Sequence, residues 1–234
     1  MSISNLQQRI RSCKTPIALG LSACETVETA QLTAREAMTA AAGKLSAVYL
    51  DAESYIAFGA EGFAALQTLV REAKEQEFYV IVNCRACDSG LWLKALPEAD
   101  AITVMPYVGG DVCAVGEDKA AFAVLRTANS SAGEVQNLMS GDRRLYAAVG
   151  EQMARRGAGA VIETGYSLDI RELRRRLEKT FMILTNCDGE AASYAFDEYG
   201  HGALVVDGTI QSAQDKTAAV TAAIRGMKQW VTVL

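Results

Sequence analysis

The feature of this sequence that most constrains its fold is a regular alternation of short apolar runs with Ala-rich, charged segments of helical period. Eight of the apolar runs have the length and composition of buried strands. Strands that alternate with helices pair in parallel through right-handed crossovers, and eight such units can close a barrel. We therefore predict a (β/α)8 TIM barrel, with an open doubly wound sheet as the alternative. The predicted strands are Pro16–Leu21, Ala47–Asp51, Tyr79–Asn83, Ala101–Met105, Ala121–Arg126, Ala160–Glu163, Phe181–Thr185 and Ala203–Val206.

Six segments, five between these strands and one after the last, are clear helix candidates. In one of them Phe63, Leu66 and Leu69 recur at helical spacing, which is typical of a helix that packs one face on a barrel. The third and fourth helices are predicted to be shortened, because residues 89–100 leave little room between two strands and residues 106–120 are Gly-rich. The predicted helices are Leu32–Gly43, Glu61–Gln76, Arg143–Arg156, Asp169–Lys179, Ala191–Tyr199 and Ala213–Trp230.

Composition bounds the domain count and the kind of partner. The chain has 234 residues, of which 50% are hydrophobic, and this is enough to bury the core of one barrel domain. No linker or low-complexity tract divides it, so we predict a single domain over residues 1–234. A net charge of -5 argues against nucleic acid or an anionic membrane as the partner. No apolar run reaches the roughly 18 residues of a bilayer span and no signal-peptide pattern is present, so we expect a cytoplasmic protein. Its expected partner is a small molecule, which could be nucleotide-like, or another protein.

Polar residues end the third predicted strand. The apolar run that begins at Val80 leads into Asn83, Arg85 and Asp88. In an α/β barrel, side chains at the carboxyl ends of strands project into the active-site mouth, whereas those at the amino ends mostly serve stability. The sequence therefore predicts a functional site at the end of this strand.

Four segments, in the same order along the chain, resemble the orotidine 5′-monophosphate decarboxylase family, in its longer bacterial branch. Residues 18–22 are similar to the end of the family's first strand, residues 58–62 to the start of its second helix, residues 99–107 to its fourth strand and residues 125–130 to its fifth. The likeness runs from about residue 6 to about residue 210. It implies a TIM barrel, a homodimer, and decarboxylation of a nucleotide in pyrimidine biosynthesis without a metal or an organic cofactor.

The charged residues of the family's active site are altered in this chain. The resemblance implies a Lys at the end of the second strand and the motif Asp-x-Lys-x-x-Asp at the end of the third. Counting back from Gly59 puts Tyr49 at the place of that Lys, while Asn83, Arg85 and Asp88 occupy the motif positions. Only Asp88 keeps its type, and a guanidinium is a poor proton donor. The chain is therefore predicted to be a divergent member with a degraded catalytic motif.

The resemblance also implies four ligand-binding positions, at Ser22, Pro106, Thr127 and Glu190. Ser22 stands where the family has an Asp, and Ala128, next to Thr127, stands where it has a Ser that contacts the pyrimidine. Glu190 ends a segment aligned with the family's phosphate loop, where carboxylates would repel a phosphate. Residues 206–210, at the end of the eighth predicted strand and just after it, contain no Arg, although the resemblance implies one there that grips the phosphate. A nucleoside monophosphate would therefore lose most of its contacts.

Each singled-out residue also has a purely structural interpretation. Asp88 could cap the short helix that follows it. Arg85 could form a structural ion pair with Asp88 or Glu53, and Tyr49 could be an aromatic side chain of the pocket wall. The sequence leaves these alternatives open.

Three hypotheses about function follow. The favoured one is a catalytically degenerate homologue that binds a ligand or a partner protein, as a homodimer that is weakened or rearranged because the third helix is short. The second is an active decarboxylase or lyase with a remodelled site. The third is a metal or cluster site through Cys84 and Cys87, with Cys24, Cys113 and Cys187 near other strand ends. We expect no cofactor, no metal and reduced structural thiols.

Overall fold

Eight parallel strands form a closed barrel in the computed structural model, which describes residues 2–163, 167–185 and 189–231, without the side chains of residues 189 and 190. Each strand pairs with the next along the chain, and the eighth pairs with the first through Ala18 and Val205. The predicted (β/α)8 barrel is confirmed, and the closing pair excludes the open sheet. The strands are β1 Ile17–Leu21, β2 Ala47–Asp51, β3 Tyr79–Ala86, β4 Ala101–Val104, β5 Ala120–Arg126, β6 Gly159–Ile162, β7 Met182–Leu184 and β8 Ala203–Val206.

Helices lie between the strands, one precedes the first strand and two follow the last. After β4 the chain forms two short 3-10 turns, Pro106–Val108 and Gly110–Cys113, and a small antiparallel hairpin joins Met139–Ser140 to Arg143–Arg144. The helices in the described ranges are α1 Ser2–Cys13, α2 Val27–Ala41, α3 Ala52–Ile56, α4 Gly59–Glu75, α5 Ser89–Ala95, α6 Ala132–Gln136, α7 Leu145–Ala154, α8 Ser167–Arg176, α9 Gly189–Ser193, α10 Thr209–Ser212 and α11 Lys216–Met227.

Side-chain caps explain where two helices differ from the sequence-based bounds. Helix α2 begins five residues earlier than predicted because the Thr26 hydroxyl accepts a hydrogen bond from the backbone N–H of Thr29 at 3.2 Å. Helix α11 begins three residues later than predicted, where the Asp215 carboxylate accepts from the N–H of Ala218 at 2.9 Å. Helix α1 was not predicted, since its polar sequence has few apolar residues.

The core has an inner layer inside the barrel and an outer layer between strands and helices. In the inner layer Phe122 and Phe181 meet edge to face, with ring centroids 6.0 Å apart. Gly159 makes room for this pair, because a Cβ there would lie 2.3 Å from the Phe122 ring. Leu6 and Ile10 of α1 are fully buried and belong to the inner layer. No helix in the described part of the chain is both long and apolar enough to cross a membrane.

Candidate functional site

A cavity of about 270 Å³, called here the mouth cavity, lies at the carboxyl ends of the barrel strands. Charged and amide side chains from four places in the barrel line it: Asp51 at the end of β2, Asn83 and Arg85 on β3, Glu163 just after β6, and Asp207 just after β8. Parallel strands bring these distant segments to one end of the barrel. The cavity is therefore the candidate functional site.

Arg85 is held by two carboxylates. One terminal nitrogen of its guanidinium donates to both carboxylate oxygens of Glu163, at 3.0 and 3.1 Å, and the other donates to Glu53 at 3.2 Å. The Glu163 side chain is 8% exposed, so this ion pair is largely shielded from water. Of the two partners predicted for Arg85, the structure shows Glu53 and adds Glu163.

The backbone places Arg85 in the cavity through a bulge in β3. Pairing with β4 shifts register between Val82 and Ala86, and Arg85 has a φ of 43°, in the left-handed region that disfavours a branched or long side chain. The buried Thr103 hydroxyl stabilises this turn, because it accepts from the backbone N–H of Arg85 at 2.9 Å and of Cys84 at 3.1 Å. Strain of this kind persists only where the surroundings hold it.

Strand register separates the cavity wall into an upper and a lower layer. Asp51 pairs with Asn83 across β2 and β3, and the Asn83 side-chain amide donates to the Asp51 carboxylate at 3.3 Å. The Asn83 carbonyl oxygen accepts from the Thr103 hydroxyl at 2.9 Å. Tyr49 pairs with Ile81, so its side chain lies one layer deeper in the barrel. Asp51, not Tyr49, thus stands beside the β3 motif at the rim.

Burial controls the ionisation of the groups at this site. It raises the pKa of the Glu163 carboxyl, while the Arg85 guanidinium acts in the opposite direction. Burial and the nearby Glu53 charge raise the pKa of Asp51, and burial together with the carboxylates of Glu163 and Asp207 raises the pKa of Tyr49 well above its usual value. Tyr49 therefore stays a neutral phenol at physiological pH.

The other predicted site residues are dispersed. Ser22 lines the mouth cavity. The buried Gln211 side chain accepts a hydrogen bond from the backbone N–H of Ser22 and donates one to the Ser22 backbone carbonyl. Asp88 is exposed and caps α5 by accepting from the Leu91 N–H at 3.1 Å, so it matches the structural interpretation and does not line the cavity. Pro106 begins a 3-10 turn.

The last two predicted positions are Thr127 and Glu190. Thr127 lines a separate cavity of about 510 Å³ beside Arg126 and Arg144. The side chain of Glu190 lies outside the described part of the structure, as do residues 186–188 of the segment that was aligned with the phosphate loop.

Sequence reasoning did not single out Asp51, Glu163 or Asp207 as site residues. Asp51 and Glu163 each end a predicted strand, and Asp207 follows the last one. A polar residue directly after a buried apolar run was therefore the available signal. Gly20 leaves room for the Asp207 side chain at the cavity wall, because a Cβ at position 20 would lie 2.6 Å from the Asp207 carboxylate.

The cysteines do not form a metal centre within the described ranges, which contain no group of three or more metal-ligating side chains that could hold an ion. Cys84 is buried, and burial raises the pKa of its thiol to about 12, which keeps it protonated. Cys24 and Cys87 are exposed, and Cys187 lies outside the described residues.

Comparisons with known proteins agree with the fold and with the predicted resemblance. No family model matches the chain. An orotidine 5′-phosphate decarboxylase from Clostridium novyi is 28% identical over 156 residues, covering 56% of this chain and 54% of the relative. One from Rhodopirellula baltica is 24% identical over 206 residues, covering 73% and 68% respectively. The predicted relationship to the orotidine 5′-phosphate decarboxylases is confirmed.

Solved structures show the same fold over the whole barrel. The orotidine 5′-monophosphate decarboxylase of Leishmania donovani superposes with a TM-score of 0.84 at 24% identity and covers 98% of each chain. That of Plasmodium berghei superposes with a TM-score of 0.85 at 13% identity and covers 97% of each chain. In sequence, however, the chain spans only about half the length of several curated decarboxylases that it matches.

The carboxyl of Asp51 should couple stability to pH. The pKa of Asp51 is raised in the folded state, so the folded state binds its proton more tightly than the unfolded state does. This proton binding stabilises the fold fully below the unfolded-state pKa of about 3.9, and the stabilisation is lost as the pH rises through the folded-state pKa. The Glu53 charge raises this pKa further, while the Arg85 charge lowers it. On acidification from pH 7 towards 5, Asp51→Asn is expected to gain less unfolding free energy than the wild type, as measured by urea denaturation. Glu98→Gln, an exposed change between α5 and β4, should behave as wild type. Identical pH profiles for Asp51→Asn and wild type would contradict the assignment.

Proposed function

We propose that this protein is a decarboxylase homologue that does not decarboxylate orotidine 5′-monophosphate, and that its mouth cavity binds a small molecule lacking a phosphate. The observation that carries this proposal is the state of Arg85. It is the one cationic side chain among the described residues that line the cavity, and it is already bonded to Glu163 and Glu53.

The chemistry of decarboxylation makes this state of Arg85 decisive. Loss of carbon dioxide leaves a carbanion, which needs a cation close to the reacting carbon and a proton to capture. Arg85 is a poor proton donor, and its charge is offset by two carboxylates. Nearby Tyr49 is neutral and buried. The described residues thus lack a cationic acid in the cavity that could do this work.

The charge of the cavity also opposes an anionic substrate. Three carboxylates and one guanidinium line it, an excess of two negative charges when all are ionised. Orotidine 5′-monophosphate carries a carboxylate and a phosphate, and like charges repel within the low-dielectric site. A neutral or cationic ligand suits this cavity better.

The direct test follows the absorbance of orotidine 5′-monophosphate in the presence of the purified protein. We expect its decay to match the uncatalysed rate, with the Clostridium novyi relative as the active control. Decay above the uncatalysed rate would overturn the proposal, and its loss in Arg85→Met would show that Arg85 acts on the substrate. A cytoplasmic location and a weakened or rearranged homodimer stay predictions.

A further inference from the structure

Tyr49 carries a buried hydroxyl without a hydrogen-bond partner among the described residues. The residue is 4% exposed, lines the mouth cavity and points into the barrel with the inner core layer. A buried hydroxyl that makes no hydrogen bond is rare in folded proteins, because its desolvation is not compensated. A ligand in the cavity could provide the missing partner.

The wall above Tyr49 is acidic on several sides. Asp51 lies on the same strand two residues nearer the rim, and the charges of Glu163, Asp207 and Asp51 all act on the phenol. Arg85 does not neutralise this wall, because it is shared between Glu163 and Glu53 and leaves an excess of negative charge. The geometry combines a neutral acceptor at the bottom with carboxylates around the opening.

A metal ion does not fit this arrangement within the described ranges. No three carboxylates, histidines or cysteines there are grouped closely enough to ligate one. The cavity, at about 270 Å³, also has room for an organic molecule of several heavy atoms. An ammonium group, with three N–H donors and a positive charge, matches a phenol oxygen and nearby carboxylates.

We propose that the mouth cavity binds a small organic cation with an ammonium group, for which Asp51, Glu163 and Asp207 supply the opposite charge and the Tyr49 hydroxyl supplies a neutral acceptor. This inference rests on the proposed function, since it assumes that the mouth no longer serves a nucleotide.

Three four-carbon probes test the charge requirement at nearly constant size. Isothermal titration calorimetry at low ionic strength compares putrescine, which ends in ammonium groups, with 1,4-butanediol and with succinate. We expect putrescine to bind at least about tenfold more tightly than butanediol, succinate to give no binding heat, and added salt to weaken the putrescine complex. Equal affinities for the three probes, or no binding of putrescine, would overturn the inference.

Variants test the residues. Tyr49→Phe removes only the hydroxyl and should weaken putrescine binding about three- to tenfold while the urea midpoint stays the same or rises, so that misfolding is excluded. Asp51→Asn should weaken it by a similar factor. Glu98→Gln, which also removes one carboxylate but lies at the amino end of β4, should bind as wild type. Unchanged affinity in both Tyr49→Phe and Asp51→Asn would contradict this site.

The same preparations separate the two proposals. Turnover of orotidine 5′-monophosphate would refute the proposed function whatever putrescine does. Absence of both turnover and putrescine binding would refute only the cation site.

Discussion

Replacing Asp169 with alanine is expected to destabilise the protein by about 3–5 kcal/mol. The carboxylate of Asp169 accepts from the Arg126 guanidinium at 3.0 Å, and both side chains are nearly buried, with 8% of Arg126 and 12% of Asp169 exposed. Arg126 ends β5, and Asp169 lies in the first turn of α8. Loss of the carboxylate leaves a guanidinium that is desolvated and not neutralised.

Neighbouring groups do not replace the lost charge. Arg126 also donates to the neutral Gln136 side chain at 2.9 Å and lies 5.9 Å from the centroid of the Tyr146 ring. Arg144 approaches Asp169 at 3.5 Å, so the variant would leave a second cation without this partner. The free energy of unfolding is measured by urea denaturation with two optical probes.

A double variant is the matched control. Arg126→Met combined with Asp169→Leu removes both charges and keeps apolar volume, so it should lose far less stability than Asp169→Ala alone. If the free energy of unfolding of Asp169→Ala is within about 1 kcal/mol of the wild-type value, the Arg126–Asp169 pair does not stabilise the junction of β5 and α8.

Thr103→Val is expected to cost about 2–5 kcal/mol and to disturb the mouth cavity, because it leaves two buried backbone donors without an acceptor. The Thr103 hydroxyl is fully buried and accepts from the N–H groups of Cys84 and Arg85. Valine has nearly the same shape, so the packing changes little while the hydrogen bonds are lost. Arg85, which is held in a left-handed conformation, should then relax from its position.

Thr103→Ser separates the hydroxyl from the methyl group. Serine keeps the oxygen, so we expect most of the stability and the position of Arg85 to be retained, and only a small packing loss. Urea denaturation gives the stability, and a crystal structure of each variant shows the Arg85–Glu163 distance. If Thr103→Val keeps wild-type stability and Arg85 does not move, the Thr103 hydroxyl does not stabilise the bulge in β3.

Most of the fold could be predicted from local patterns. All eight predicted strands are present, because each is a short apolar run whose residues are buried on both sides by the barrel core and the helices. Errors fall where one side chain sets a boundary, as Thr26 does for α2. Helix α1 escaped prediction because its stability comes from Leu6 and Ile10 docking on the barrel, and a long-range contact leaves little periodic signal.

The site was predicted in part. The sequence located the end of β3 and Arg85, and it named Glu53 as a partner. It could not identify Glu163, which is 78 residues away from Arg85 along the chain and meets it only when β3 and β6 reach the same end of the barrel. Spacing also could not show that Asp88 caps α5 outside the cavity, since the bulge that redirects the chain depends on Thr103 of the next strand.

The sequence by itself determined the barrel and the relationship to the decarboxylases, and it located a polar strand end at β3, because strand composition, element order and residue types are local properties of the chain. Only the tertiary structure decided which charges meet. Barrel closure brings Asp51, Glu163 and Asp207 to the same cavity as Arg85 and sets Tyr49 one layer deeper than Asp51. The strength and sign of electrostatic interactions depend on distance and burial, which spacing along the chain does not give.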